Sequence, residues 1–273
     1  MSEAPDELRA SVEPKALPRP ERLVILGALA LIIALAWIYL ATFEMATPTM
    51  SGMSDMGDMP DMPGMDGMAM APMSFGLLAA MWIVMMIGMM LPSASPMIVM
   101  AARLTKAREP GNKSAFSAGA FALGYLLVWS GFSLIAAAAQ VALQEGVLSG
   151  EAMAIRSGPI AGGVLIAAGL YQWTPLKQFC LTKCRSPVGF FVSQWRTGRR
   201  GALLMGARHG AFCLGCCWLL MALLFVAGVM ALPWVAAVAA LVLLEKIAPK
   251  GEWIARVGGA LMVGAGLYVI VAG

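Results

Sequence analysis

Long apolar runs constrain this chain more than any other feature. They stand at about residues 23–43, 75–100, 115–143, 158–173, 209–230, 232–248 and 254–272. An α-helix needs about 20 apolar residues to cross the roughly 30 Å hydrocarbon core of a bilayer. Inside lipid a chain must satisfy its own backbone hydrogen bonds, so the runs predict helices rather than exposed strands. The expected fold is all-α: a polytopic transmembrane helix bundle of about seven spans. Composition agrees, with 60% of the 273 residues apolar and 12% charged, whereas a soluble domain is roughly half apolar and a quarter charged. An ordinary soluble enzyme, a disordered regulator and a secreted disulfide scaffold are excluded on that ground.

Lys and Arg set the orientation. If the N-terminus is cytoplasmic and seven spans follow, eighteen of the nineteen fall on the cytoplasmic side, and only Arg156 falls outside. That agreement supports keeping the two short runs, 158–173 and 232–248, as spans. The first run is too long for a signal peptide and no A-x-A site closes it, so it reads as an anchor. The expected organisation is a cytoplasmic tail (1–22), a first transmembrane anchor (23–43), a Met-rich extracytoplasmic loop (44–74) and a six-helix metal-binding membrane domain (75–273). The expected location is the bacterial inner membrane.

The loop carries ten of the 23 methionines and no Lys or Arg between residues 45 and 73. Met50, Met53, Met56, Met59, Met62, Met65 and Met68 recur every third residue, among Asp, Gly and Pro. Such a low-complexity stretch cannot bury a core. Thioether sulfur is a neutral, soft donor that does not titrate. It selects Cu(I) or Ag(I) over hard cations. M-x-x-M spacing lets several sulfurs wrap one ion, while the carboxylates concentrate cations nearby. The segment therefore reads as a metal collector, the plainer alternative being a tether.

All five cysteines lie between 180 and 217. Cys180 and Cys184 belong to QFCLTKCRSP. Cys213, Cys216 and Cys217 follow the sole histidine in HGAFCLGCCWLLM. At about 100° per residue, Cys213 and Cys216 lie within roughly 40° of His209, with Cys217 at about 80°. They are expected in the first two turns of the fifth span, near the cytoplasmic surface. Gly206, Gly210 and Gly215 leave room for close helix approach. Cys180 and Cys184 are placed to swing beneath this span. A reducing cytosol favours metal ligands over disulfides. Three readings stay open: a Cu(I) site, a structural zinc site, or cysteines acting as small hydrophobes.

The second span, LLAAMWIVMMIGMMLPSASPMIVM, places Met81, Met85 and Met89 at i, i+4, i+8, beside Met86 and Met90. This is either ordinary packing by an adaptable side chain or a thioether ladder running inward, with Met89, Met90 and Met97 near the thiols. Pro92 and Pro96 are expected to break it near its inner end. Glu245, next to Lys246, reads as an interfacial ion pair or snorkelling head, or else as a group supporting the thiols. FFVSQWRTGRR reads as a lipid-facing amphipathic segment rather than a nucleic-acid patch. No P-loop, GxGxxG, HExxH or Ser-His-Asp arrangement is present, so no catalytic residues are assigned.

The stretches MWIVMMIGMMLPSASPM, TPLKQFCLTKCRSP, WRTGRRGALLMGARHGAFCLGCCWLLM and LEKIAPKG resemble a bacterial family of metal-binding integral membrane proteins of unknown function. The resemblance covers about residues 75–272, and HGxxCxGCCW is its most specific part. It implies metal binding through Cys180, Cys184, His209, Cys213, Cys216 and Cys217. The Met-rich loop lies outside it. Together these features predict a copper-handling membrane protein. It would bind Cu(I) through Met50, Met53, Met56, Met59, Met62, Met65 and Met68 outside, Met85, Met89 and Met90 within, and the Cys/His cluster inside. The expected purpose is transport, or delivery to a cuproenzyme, with a periplasmic copper chaperone as a further partner and the bilayer as surroundings. The alternatives are an assembly protein with a zinc site and a thiol-active membrane oxidoreductase.

Overall fold

The computed structural model describes residues 17–46, 74–109, 114–144, 148–149, 154–155, 157–229 and 231–272. In chain order the helices are α1 (Arg19–Ala46), α2 (Phe75–Arg108), α3 (Ser114–Gln144), α4 (Gly158–Tyr171), α5 (Pro175–Arg185), α6 (Pro187–Gln194), α7 (Gly198–Ala222), α8 (Leu224–Ala227), α9 (Leu232–Ile247) and α10 (Gly251–Ala272). Between α3 and α4, β1 (Leu148–Ser149) pairs antiparallel with β2 (Ala154–Ile155). Among the described residues, five helical segments are long and apolar enough to cross a membrane: α1, α2, α3, α7 with α8, and α10. The apolar helix α4 has 14 residues, which rise about 21 Å and fall short of the roughly 30 Å core. Helix α9 has 16. The Met-rich loop lies outside the described residues.

Helix α2 runs unbroken through Pro92 and Pro96, against the expectation of a break. Proline at 92 removes the N–H that would bond the Gly88 carbonyl. Trp37 of α1 supplies the missing donor, its Nε1 lying 3.3 Å from Gly88 O. Ser93 and Ser95 donate to the carbonyls of Met90 (2.9 Å) and Leu91 (3.0 Å) within the same helix. The carbonyl that Pro92 leaves without its helical donor is thus satisfied from the neighbouring helix.

Glycines set the closest crossings. On the α3–α7 pair, a Cβ at Gly206 would collide with the Phe121 carbonyl, and one at Gly124 with the Leu203 carbonyl. On the α4–α10 pair, Gly162 and Gly169 lie against Gly266 and Gly259, where an added Cβ would come within 2.6–2.8 Å of a backbone oxygen. Small residues let backbones approach where lipid supplies no hydrophobic drive. Helix α6 has two faces: Phe190 and Phe191 are buried, while Val188, Gly189, Val192 and Ser193 are exposed.

Basic side chains gather at one end of the bundle. Lys106 of α2 pairs with Glu21 of α1, and Ser114 at the start of α3 donates to the same carboxylate at 2.6 Å. Arg108 lies over Trp195 and Arg199 over Phe116, each 5.1 Å from the ring centre. The Gly198 N–H donates to the Glu109 carboxylate. At the other end Trp82 donates to Gln140 (2.6 Å) and packs on Phe225, while Trp234 donates to the Leu223 carbonyl.

Candidate metal centre

Helix α7 starts at Gly198, with Thr197 at its N-cap, rather than near residue 209. His209 therefore sits about 16 Å along the axis from the first residue, at 1.5 Å per residue. The thiols lie mid-helix rather than in its first two turns. All five cysteines are free and buried.

Cys213 is the hub. Its Sγ lies 2.8 Å from Lys246 Nζ of α9 and 3.0 Å from the Tyr125 hydroxyl of α3. Lys246 also donates to Ser93 Oγ at 3.2 Å, and Tyr125 OH donates to the Met90 carbonyl at 3.2 Å. Cys216 and Cys217 donate to the Cys213 carbonyl at 3.1 and 3.0 Å, folding both thiols back along their own helix. Helix α5 packs against α7 and brings Cys184 into hydrogen-bond contact with Cys213 and Cys216. Cys180 rests against Gly215, where an added Cβ would stand 2.9 Å from its Sγ. The hydrogen bonds to Cys213 and Cys216 push the Cys184 thiol well above its ordinary range, and burial adds to that. Burial raises the Cys180 thiol.

His209 is 2% exposed. Its ring stacks on Tyr125 at 5.6 Å and packs against Phe190 and Phe121 at 5.5 and 5.8 Å. Its Nδ1 has no hydrogen-bond partner, an uncommon state for a buried polar atom. Among the described residues, no three His, Cys, Asp or Glu side chains stand as a ready-made metal cage. The arrangement is a set of free, buried thiols around Cys213, with an ammonium and a phenol against its sulfur.

Met81, Met85, Met86, Met89, Met90 and Met97 are each 2% exposed or less. The methionine face of α2 thus points into the bundle. Met90 is tied to the cluster through its carbonyl and Tyr125. Met81 and Met85 border a small cavity of about 20 Å³ with Leu40, Phe43, Val229 and Val235. Met50, Met53, Met56, Met59, Met62, Met65 and Met68 fall outside the described residues.

Glu245 forms an ion pair, as one reading of the sequence expects, but a buried one rather than a snorkelling head. Its carboxylate pairs with Lys177 of α5 at 2.7 Å and accepts from Gln172 Nε2 at 2.9 Å. Both charged side chains are 2% exposed or less. The residue touching a thiol is its neighbour, Lys246. Sequence reasoning missed Lys246, Tyr125 and Lys177 as parts of this centre. The available signals were the Glu-Lys pair at the end of an apolar helix and a lysine one turn before Cys180.

Apolar helices of this length, closed around free buried thiols, define a multi-pass helical membrane protein. Residues 79–269 match the copper chaperone family PpoB2, and the chain belongs to that family. Neither a curated protein nor a solved structure matches it. The matched segment runs from α2 to α10, agrees with the metal-binding resemblance carried by the motifs above, and leaves residues 45–73 outside.

Proposed function

We propose that this protein is a membrane copper chaperone that takes Cu(I) from the extracytoplasmic side and holds it on thiols within the bundle, for transport or delivery to a cuproenzyme. Copper here is cargo. The observation that carries the reading is the set of five free, buried cysteines on the packed helices α5 and α7, in the same bundle as the buried methionine face of α2. Thiolate and thioether sulfurs select a soft monovalent ion. In this reading Cys184, Cys213 and Cys216 are the first ligands, with Cys217, Cys180 and the open Nδ1 of His209 within reach of a rearranged site. Met85, Met89 and Met90 form the inward path. Met50, Met53, Met56, Met59, Met62, Met65 and Met68 collect the ion outside.

The chain crosses the inner membrane seven times with its N-terminus in the cytoplasm, α4 and α9 serving as short crossings around which the bilayer thins. The clustering of Lys106, Arg108 and Arg199 at one end of the bundle supports this orientation under the positive-inside rule. The test is copper and zinc content of the purified full chain, of a chain lacking residues 45–73, and of Cys213→Ser. We expect copper in the first, fewer ions per chain in the second, and loss of the inner ion from a folded third. Zinc that remains bound throughout, or copper content indifferent to both changes, would overturn the reading.

A further inference from the structure

An open cleft lies between the C-terminus of α5 and the turn joining α9 to α10. It encloses about 750 Å³ and is lined by Arg185, Ser186, Lys250, Glu252, Trp253 and Arg256 among others. The guanidinium of Arg185 is fixed by donating to the carbonyls of Ala248 and Pro249 at 2.6 and 2.9 Å. Arg256 is held at the opposite wall, where its backbone carbonyl accepts from Trp173 Nε1 at 3.2 Å. The ion pairs among the described residues are Lys106–Glu21 and Lys177–Glu245, so neither Lys250 nor Arg256 spends its charge on a carboxylate. Three cations thus face one acid, Glu252. Trp253, 65% exposed, stands at the rim, and Val257 and Leu261 follow it outward at i+4 and i+8 on α10.

We infer that this cleft binds the headgroup of an anionic phospholipid, with its acyl chains lying along the Trp253–Val257–Leu261 face. Phosphate oxygens accept from Lys250, Arg256 and the Ser186 hydroxyl. Tryptophan at the interface and lysine or arginine at the basic end of a bundle suit a headgroup of the negatively charged leaflet. The apolar face beginning at the cleft favours a lipid over free phosphate, which would have no use for it. The inference rests on the chain crossing a bilayer and is independent of copper.

The experiment places the full chain in bilayer nanodiscs of phosphatidylcholine with and without phosphatidylglycerol and reads retained lipid by native mass spectrometry. Wild type should retain phosphatidylglycerol preferentially. Lys250→Gln with Arg256→Gln should lower that preference by about tenfold and leave copper content unchanged. The charge-keeping exchange Lys250→Arg with Arg256→Lys should preserve the preference. Arg199→Gln with Arg200→Gln, basic residues elsewhere at the same end, should also leave it intact. Absence of preference in wild type, equal loss in the Arg199/Arg200 pair, or displacement of the lipid by inorganic phosphate would each overturn the inference.

Discussion

At Cys213 a sulfur has an ammonium on one side and a phenol on the other, inside an apolar bundle. In the proposed function Lys246, held between Ser93 and Cys213, is a supporting group that orients the Cys213 sulfur toward a soft cation. Lys246→Met should therefore weaken copper binding by about tenfold, the lower end of what loss of a supporting group costs a metal site. Competition against a Cu(I) chelator measures it. An unchanged affinity would reduce Lys246 to a packing residue. Helical arithmetic found the shared face of His209, Cys213 and Cys216, because side chains on one helix have fixed angular offsets. It could not find Lys246, 33 residues away, since spacing along a chain does not say which helix faces which. Nor could it show that the His209 ring is held by Phe121, Tyr125 and Phe190.

The C-terminal turn of α9 works as a bracket between the thiol-bearing helices. Glu245 grips α5 through Lys177, and the next residue, Lys246, reaches Cys213 of α7. Lys177 stands one turn before Cys180, so the ion pair sets where the α5 thiols lie. Breaking a buried pair from one side leaves an uncompensated charge and costs about 3–5 kcal/mol, whereas replacing both partners by apolar groups is often neutral. Lys177→Met alone should lower stability by about that amount, and Lys177→Met with Glu245→Met should recover most of it. Denaturant melts of the purified chain give the cycle. If the double variant also loses copper while remaining folded, the pair positions the site. The start of α7 escaped the sequence for a related reason. Arg199, Arg200 and Arg208 read as loop charges, yet a helix end accommodates such cations through aromatic and polar partners. The Arg199 guanidinium lies over the Phe116 ring, and Arg208 donates to Gln194.

On the scale of the whole molecule, the bundle separates a basic end from an end bordered by Met81 and Met85, with the thiols between. Seven apolar runs and their flanking charges made the helical architecture legible. The spans read at α4 and α9 were less so, because a helix of 14 or 16 residues has the composition of a span without its length. Since Cys180 and Cys184 are held above the ordinary thiol range, both carry protons at neutral pH. A soft cation binding there must displace them. The sign follows: acidification favours the protonated, unloaded form, so copper affinity falls as pH falls. Between pH 8 and pH 6 the slope should be about one log unit per pH unit for each proton released. A flat profile would mean that neither thiol gives up a proton to the ion.

The indole that Trp37 lends to the Gly88 carbonyl has a consequence for residues 47–73. By stitching the first helix to the second, it fastens both ends of the intervening methionine stretch to the same rigid body. Under the proposed function, tethering at two points would hold the effective concentration of those sulfurs near the bundle on the millimolar scale, so that an ion they released would be offered there many times before it escaped.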